Sequence, residues 1–347
     1  MLYIHHTSCI SSQQTFSDID LNILNESVEN KLVAHEIIPP EISQNVLRRM
    51  GKAAKMSVGA ALPLMKKIDS LDGIILGTAN GGMEDCIRFM NQIIQYNEGM
   101  LTPGNFVQST PNGLAAQLGL LQSNKKYNIT HVHRGLSFEN ALIDAGMMLK
   151  EYPKNTYLLG GVDEISSFNY NIDFLGGWYK KEIVSNKDLY KVNSTASIAG
   201  EGAAMFIVSN DKTNATAELK SVHILHNEDP DYIIQELKTF LNEYLKNKTL
   251  DILITGENGD NRFLNFYGSV EKQMDKKTII LRFKHMSGEY PTASSQALWL
   301  ACSILKTQSF PEHMIKKATE NKEYRNILIY NNYKGAQHSF MLISKPV

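Results

Sequence analysis

Short apolar segments that alternate with amphipathic helical patterns constrain the fold of this chain more than any other feature of its sequence. Residues 72–77 (DGIILG) form an apolar run with isoleucines that ends in glycine, which predicts a buried strand. Residues 83–95 then place Ile87, Met90 and Ile94 on one face of a predicted helix. Strands are also predicted at 2–9, 106–110, 127–132 and 157–161, and helices at 111–121 and 137–150. This β-α-β order favours parallel pairing with right-handed crossovers.

The second part of the chain repeats this order of elements. Strands are predicted at 203–208, 217–226, 250–255, 277–283, 326–330 and 338–344, and helices at 231–246 and 292–306. Residues 71–77 and 250–256 also share the pattern Leu-Asp-x-(Ile/Leu)-Ile-x-Gly. Because the flanking elements recur as well, we predict duplicated α/β halves that form one compact body with two central sheets. The polar stretch 166–199 lies between the halves and is predicted to be irregular.

Composition excludes several classes of function. The chain has 347 residues, with 35 Lys and Arg against 36 Asp and Glu, so no basic footprint for nucleic acid or an anionic membrane exists. No apolar run approaches the roughly 18 residues of a membrane-spanning helix, and residues 1–16 lack the basic start of a signal peptide. Cys9, Cys86 and Cys302 form no CxxC pair, which argues against a disulfide framework and a zinc site. We expect a cytoplasmic protein without a metal or cofactor.

Three polar, glycine-containing turns follow predicted strands, at 77–82, 256–260 and 284–289. Ligands of open α/β sheets gather at the carboxyl ends of strands, so these turns are candidate sites. Glu257, Asp260 and Glu289 lie in two of them, and paired carboxylates can do acid–base chemistry. None of the turns matches a dinucleotide or P-loop motif. The simpler interpretation is that the glycines only make tight turns.

A fourth turn, at 133–137, carries histidine and serine. His131 and His133 alternate along a predicted strand, so a shared metal or a base is conceivable, although satisfied or interfacial histidines are favoured. Ser137 is not in a GxSxG nucleophile motif and is better explained as a helix cap. The three cysteines are expected to be buried structural thiols.

Five segments, in order along nearly the whole chain, resemble motifs of β-ketoacyl-acyl carrier protein synthases. They are 106–112 (FVQSTPN), a segment near the dimer interface of that family; 159–164 (LGGVDE), the AGG-x-E/D strand end; 200–205 (GEGAAM), the GEGAG segment; 284–293 (KHMSGEYPTA), the KSxxGHxxGAAG loop; and 331–338 (NNYKGAQH), the NSFGFGG turn. The resemblance implies the thiolase fold: an α/β structure of duplicated βαβαβαββ halves that form a layered α/β/α/β/α sandwich. We expect an N-terminal half at 1–165, a connection at 166–199 and a C-terminal half at 200–347.

The resemblance also implies where the catalytic groups of the family would lie. Active members use a Cys at a strand-to-helix turn, where the helix N-terminus lowers its pKa. In this chain that turn is 133–137, and Gly135 takes the Cys position; a shift by one residue gives Arg134 or Leu136.

Active members also use two histidines, which donate hydrogen bonds to the enolate oxygen of the thioester. The first histidine motif corresponds here to Glu257 and Asn258, and the second histidine corresponds to Glu289. Of the catalytic residues that the resemblance implies, only Lys284 is retained. An ionised carboxylate cannot donate to an enolate oxygen, so the chain is expected to be inactive in condensation on its own.

A scaffold with these losses resembles the chain-length-factor branch, whose members pair with an active β-ketoacyl-acyl carrier protein synthase as a heterodimer and shape its acyl tunnel. The turn 134–139 (RGLSFE) looks most like partners in aryl polyene and flexirubin-type systems; type II polyketide systems are also implied. An acyl carrier protein is a further possible partner. Candidate residues of the tunnel or dimer interface are Phe106, Gln108, Asn112, His133, Arg134 and Phe138.

Two enzymatic alternatives stay open at this point. One is an acyltransferase or hydrolase on the same scaffold, using Ser137, His131 or His133, Glu257 and Glu289. The other is a condensing enzyme with a relocated thiol, for which Cys86 is the candidate nearest to a polar turn.

Overall fold

The computed structural model of the protein describes residues 1–246, 248–319 and 323–346. Val347, the end of the expected C-terminal half, lies outside them. The first part contains β1 (Leu2–Ile10), β2 (Lys31–Leu32), α1 (Gln44–Leu47), α2 (Lys52–Met65), β3 (Gly73–Gly77), α3 (Met83–Gln95), α4 (Pro103–Gln108), α5 (Gly113–Leu121), β4 (Tyr127–His131), α6 (Ser137–Glu151), β5 (Thr156–Asp163), α7 (Ser167–Leu175), β6 (Ala199–Gly200) and β7 (Gly202–Ser209).

The second part contains β8 (Ala217–His226), α8 (Pro230–Tyr244), β9 (Ile252–Thr255), α9 (Leu264–Glu271), β10 (Ile279–Arg282), α10 (Lys284–Ser287), α11 (Ala293–Thr307), β11 (Ile315–Lys317), β12 (Asn326–Tyr333) and β13 (Gln337–Ser344). No helix in the described ranges is both long and apolar enough to cross a membrane.

The two parts have the same strand topology. The first section of the sheet has the order β4-β3-β5-β7-β1, and the second has β10-β9-β12-β13-β8. β3 pairs in parallel with β4 and β5, and β9 pairs in parallel with β10 and β12. The remaining two pairings of each section are antiparallel: β5 with β7 and β7 with β1 in the first, and β12 with β13 and β13 with β8 in the second. The predicted duplicated α/β fold is therefore confirmed, and the two similar LD-x-x-I-x-G segments contain β3 and β9.

Two details of the sheet differ from the sequence-based expectation. β7, which the sequence pattern assigned to the start of the second half, pairs with β5 and β1 and completes the first repeat. The two sections are also hydrogen-bonded to each other where β1 meets β8, through three residue pairs from Leu2 to Ile4. Within the described residues this makes one sheet of eleven strands, with β11 at one edge. Strand partners are set by contacts far apart in sequence, which local patterns do not encode.

Alternating side chains of the strands face different helical layers. Ile74 of β3 belongs to a core that includes α2 and α5, whereas its neighbour Ile75 belongs to a central core with α6 and α11. On the other section, Ile254 of β9 joins the same central core, and Leu253 joins an outer core with α8 and α9. The layers are therefore helix, strand, helix, strand, helix. Each such buried aliphatic side chain contributes about 1.5–3 kcal/mol to folding.

Two helices replace segments that were predicted otherwise. α4 begins at Pro103, whose fixed φ suits the first turn of a helix, so the predicted extended segment at 106–110 is wrong. α7 lies within the stretch that was predicted to be irregular, and Ser166 caps it by accepting a hydrogen bond from Asn169 N at 3.2 Å. α2 was not predicted because nearly all its residues are buried, which leaves no amphipathic period.

One buried carboxylate, Asp163 at the end of β5, links the two repeats. Its Oδ1 accepts hydrogen bonds from Thr78 Oγ1 (3.0 Å), Ala79 N (2.9 Å) and Asn80 N (2.9 Å) in the turn after β3. Its Oδ2 accepts from Thr292 N (3.2 Å) and Thr292 Oγ1 (2.9 Å), immediately before α11. Burial raises the pKa of this carboxyl, and the five donated hydrogen bonds oppose that effect.

Replacing Asp163 should therefore destabilise the whole fold. We expect Asp163→Asn to lower the free energy of unfolding by at least about 2 kcal/mol, because one group of buried donors then faces an NH₂ group. Urea denaturation would measure the change. Asp188→Asn, which removes an exposed ion pair with Lys191, is the matched control and should stay within about 0.5 kcal/mol of wild type. Equal stabilities of the two variants would contradict the assigned role of Asp163.

Candidate functional site

The turn between β4 and α6 is rigidly held. Gly135 N donates to Gln337 Oε1 on β13 at 2.9 Å. Ser137 Oγ accepts a hydrogen bond from His133 N at 2.7 Å and donates one to Arg134 O at 2.8 Å. Arg134 adopts the left-handed conformation, with φ of 50°. Ser137 is fully buried, so its hydroxyl serves the turn rather than capping α6 or acting as a nucleophile.

Tyr333 occupies the space beside Gly135, the position that the resemblance assigns to the nucleophile. A Cβ atom added to Gly135 would lie 2.3 Å from Tyr333 Cβ and 2.4 Å from Tyr333 Cγ. Such distances are far below van der Waals contact, so no side chain fits at Gly135 while Tyr333 keeps its place. Tyr333 is itself buried, and burial raises the pKa of its hydroxyl.

Lys284, Glu289 and Asn258 form a buried polar cluster. Lys284 Nζ lies 2.7 Å from Glu289 Oε1, and Asn258 Nδ2 donates to Glu289 Oε2 at 2.7 Å. Lys284 is fully buried, which is tolerated because its charge is paired. Both oxygens of Glu289 are thus engaged within the cluster. The structure brings together these three predicted positions, but the carboxylate accepts hydrogen bonds where the family would place a donor.

Glu257 lies in a different network. It pairs with Arg282 Nη1 of β10 at 3.3 Å and with Lys316 of β11, and Lys316 also contacts Glu271 at 2.8 Å. The predicted acid–base pair of Glu257 and Glu289 is therefore not assembled. Asn258 faces the cluster, whereas Glu257 faces the ion pairs with Arg282 and Lys316.

Aromatic and cationic side chains cover the cluster. Trp178 stacks on Phe263, with ring centroids 6.3 Å apart, and lies under Arg262 at 4.6 Å and Lys334 at 4.8 Å. Trp178, Phe263 and Lys334 line a cavity of about 10 Å³ together with Glu289 and Tyr333. That is roughly the space for one water molecule. The cavity beside Glu289 is therefore too small for an acyl chain.

The two histidines of the β4 region are separated. His131 Nε2 lies 2.9 Å from Asp144 Oδ2 on α6, and Tyr127 Oη donates to the same carboxylate at 3.0 Å. His133 lies beyond the strand and is exposed. Neither ring is a hydrogen-bond partner of Ser137 in the described residues. The chain outside the gaps also holds no group of three His, Cys, Asp or Glu residues placed for a metal ion.

A histidine pair beside Lys284 was missed from the sequence. His285 Nε2 lies 2.8 Å from His313 Nδ1, and His313 Nε2 lies 2.7 Å from Leu21 O. Because a carbonyl only accepts, His313 Nε2 carries the proton, so His285 Nε2 donates to His313 Nδ1. Tyr190 Oη, 3.3 Å from His285 Nδ1, is then the donor to that atom. Burial lowers the pKa of His285 to about 3. No local pattern links residues so distant in sequence.

The predicted tunnel or interface residues of α4 and the turn after it are at the surface. Phe106 is exposed on α4 and packs one edge against Phe89, with ring centroids 5.4 Å apart. Gln108 Oε1 accepts a hydrogen bond from Gly51 N at 3.3 Å. Asn112 Nδ2 donates to Asn128 Oδ1 of β4 at 3.3 Å. These contacts tie α4 and α5 to α2 and β4.

Of the other three candidates, two are exposed and one is not. His133 and Arg134 lie at the surface next to the free edge of β4. Phe138 is fully buried in the central core, 5.8 Å from Phe206 between ring centroids. Its position does not support the expected interface role, because the first turn of α6 directs this side chain inward.

The free edge of β4 adjoins exposed apolar residues. β4 pairs only with β3 among the described strands, which leaves its outer edge open. Five apolar side chains on α3, on α4 and after β4 are exposed, and we call them together with this edge the β4-edge surface: Met90, Ile94, Phe106, Val107 and Val132. Met90 and Ile94, two residues of the predicted apolar face of α3, are therefore exposed. An open strand edge beside exposed apolar residues is typical of an association site.

The cysteines lie away from the turn 133–137. Cys9 and Cys302 are buried, and burial raises the pKa of each thiol to about 12. Cys86 lies in α3 and is half-buried, so the expectation that all three are fully buried holds only for the other two.

Comparison with known proteins gives one sequence match and several structural ones. Residues 26–171 match the family model described as β-ketoacyl synthase, N-terminal domain. No curated protein matches the sequence.

Three solved structures illustrate the structural likeness. The chain is similar to a β-ketoacyl synthase from Burkholderia phymatum STM815, with 12% identity, a TM-score of 0.76 and 99% of each chain covered. It is similar to a chain of a ketosynthase in complex with its chain length factor from Xenorhabdus doucetiae, with 11% identity, a TM-score of 0.75 and 99% and 98% covered. The ishigamide ketosynthase/chain length factor matches with 13% identity, a TM-score of 0.73 and 100% and 99% covered. At these identities the likeness establishes the fold, which is that of the thiolase-fold ketosynthases.

Restoring a cysteine at Gly135 should disrupt the site rather than activate it. We expect Gly135→Cys to destabilise the protein by about 1–3 kcal/mol through overpacking against Tyr333. Gly146→Cys is the matched control, because a Cβ there meets no atom within 4 Å, and it should be neutral or stabilising. In the double variant with Tyr333→Gly, which removes both the Cβ and the Cγ atom that clash, the two effects should be less than additive by about 1 kcal/mol or more. Additive effects in urea denaturation would exclude the steric conflict.

Stability should fall with acid because His285 is neutral in the folded state. Its pKa is lowered to about 3, so below pH 6.5 the unfolded chain binds more protons than the folded one. This contribution is complete above pH 6.5 and is lost progressively toward pH 3. Between pH 7.5 and 5.0 it amounts to about 2 kcal/mol.

The slope of unfolding free energy against pH over this range should be shallower in His285→Gln than in wild type. Exposed His35 provides the control variant, His35→Gln, which should keep the wild-type slope. A wild-type slope in His285→Gln would contradict the assignment.

Proposed function

We propose that this chain is a non-catalytic, chain-length-factor-like partner of an active β-ketoacyl-acyl carrier protein synthase in fatty-acid or polyketide-type biosynthesis. The observation that carries the proposal is the contact between Gly135 and Tyr333. Gly135, to which the resemblance assigns the position of the nucleophile, has no room for a thiol beside Tyr333.

The chemistry of the buried cluster supports this proposal. Decarboxylative condensation forms a negatively charged thioester enolate, which an enzyme stabilises with preorganised donors. Glu289 presents carboxylate oxygens that are already bonded to Lys284 and Asn258. The cavity between Trp178 and Glu289 has space for about one water molecule.

The β4-edge surface supports pairing with a second protein. An open strand edge with exposed Phe106 and Val107 beside it is costly in water and suits burial against another chain. Two of the similar solved structures are described as ketosynthase and chain length factor assemblies. In our proposal, the partner covers this surface, and Phe106, Gln108 and Asn112 contribute to the closed end of its acyl tunnel.

The enzymatic alternatives have less support. Ser137 donates its hydroxyl proton to a backbone carbonyl, and no histidine ring is hydrogen-bonded to it in the described chain, so it lacks an activating base. Cys86 is the fourth residue of α3, and no hydrogen bond to a general base is observed for its thiol in the described chain. An aryl polyene product, docking of an acyl carrier protein and a cytoplasmic location stay predictions that follow from the resemblance.

Co-expression with an intact ketosynthase encoded beside this chain tests the proposal. We expect a heterodimer in size-exclusion chromatography with light scattering, and products whose chain length changes when this subunit is varied. The purified chain alone should not turn over acyl thioesters. A persistently monomeric chain, or a ketosynthase whose product length is the same without it, would overturn the proposal.

A charged residue on the β4-edge surface should prevent assembly. We expect Phe106→Asp to weaken the heterodimer by at least about tenfold, because a carboxylate would be buried among apolar groups. Tyr232→Asp, at a partly exposed aromatic on the opposite outer layer, is the matched control and should assemble like wild type. Both variants should keep wild-type thermal stability. If Phe106→Asp binds as tightly as Tyr232→Asp, the partner does not use this surface.

A further inference from the structure

We infer that Arg134 binds a carboxylate of the partner subunit, and that the turn after β4 presents its guanidinium for that purpose. The inference rests on the proposed function, because it requires a partner chain on the β4-edge surface. The inference specifies that the partner places a negatively charged side chain opposite Arg134.

The backbone of Arg134 is in an uncommon conformation. Its φ of 50° lies in the left-handed region, which non-glycine residues other than Asn and Asp rarely adopt. Gly135 N is held by Gln337, and Arg134 O is held by Ser137, so the turn cannot relax without losing these hydrogen bonds. Strain that the surroundings enforce is a recurring feature of functional positions.

The guanidinium group has no anionic partner in the described part of the chain. Its polar contact is Nη1 to Asn80 Oδ1 at 3.5 Å, which is too long for a strong hydrogen bond. Glu139 is the nearest carboxylate in sequence, but it is buried and accepts a hydrogen bond from Ser339 Oγ at 2.8 Å. By contrast, Arg262 and Arg282 each pair with a carboxylate within their own fold.

The position of Arg134 makes this unpaired charge consequential. It follows the exposed Val132 and His133 at the end of β4, beside the open strand edge. A chain that covers the β4-edge surface removes water from the guanidinium. Burial of an unpaired charge would oppose assembly, whereas a carboxylate across the interface would form a bidentate pair with it. An acidic residue of the partner is therefore the occupant that the geometry favours.

The test measures the dissociation constant of the heterodimer and the unfolding midpoint of the isolated chain for the same variants. Arg134→Gln removes the charge and keeps the backbone strain, whereas Arg134→Gly removes both. We expect each to weaken the complex by about 10- to 100-fold, since a hydrogen-bonded charge contributes about 1.5–3 kcal/mol. Arg134→Gly should leave the midpoint unchanged or raise it, because glycine suits the positive φ. Arg134→Lys should bind with intermediate affinity.

Arg325→Gln is the matched control, because Arg325 is exposed and lies at the start of β12 rather than near β4. It should bind the partner like wild type. Charge reversal identifies the partner group: an acid-to-lysine variant of the partner should restore binding to Arg134→Glu.

The outcomes separate this inference from the proposed function. A wild-type chain that forms no complex with the ketosynthase overturns both. A wild-type complex that Arg134→Gln and Arg134→Gly leave within about twofold in affinity overturns the inference alone. If these variants assemble normally but lose affinity for an acyl carrier protein or an acyl carboxylate, the guanidinium serves that ligand, which also overturns the inference.

Discussion

The hydrogen bonds of Asp163 are the constraint on which the candidate site depends. This carboxylate ends β5, where both neighbouring turns of the layered fold converge, and it binds the turn after β3 and the residue before α11 at once. The first turn belongs to one repeat and α11 to the other. Because five donors meet one buried carboxylate, neither turn can move independently. Lys284 and Glu289 of the polar cluster lie in the segment that leads to Thr292, so the hydrogen bonds between Asp163 and Thr292 also fix their position.

Side chains of the protein itself fill the space around Gly135 and Lys284. Tyr333 lies where a side chain at Gly135 would be, and Glu289 neutralises the buried charge of Lys284. Tyr333 fills the space beside Gly135, and Glu289 pairs with a buried cation, so both contacts stabilise the interior. Among the described residues, the surface at β4 combines an open strand edge, exposed apolar side chains and the cation of Arg134, which has no anionic partner there.

Much of the fold was predictable because its signals are local. β-branched runs and helical periodicity located most strands and helices to within a few residues, and the repeated LD-x-x-I-x-G segment indicated the duplication. α7 was missed because its apolar residues alternate with polar ones from Phe168 to Phe174, which is a strand-like period rather than a helical one. β7 was assigned to the wrong repeat because its partners, β1 and β5, are distant in the chain. In the site, Asn258 and Glu289 were expected together and are, whereas Glu257 turns away to Arg282.

The sequence by itself determined the periodicity of the elements, the order of the motifs and the fact that no thiol stands in the turn 133–137. These properties depend only on residues that are close together in the chain, so they can be read from the sequence. Only the tertiary structure decided that Tyr333 lies against Gly135, although the two are far apart in the chain, and that Arg134 is left exposed in a strained conformation. Such contacts depend on the close packing of side chains from different layers, whose shapes meet only after the chain has folded.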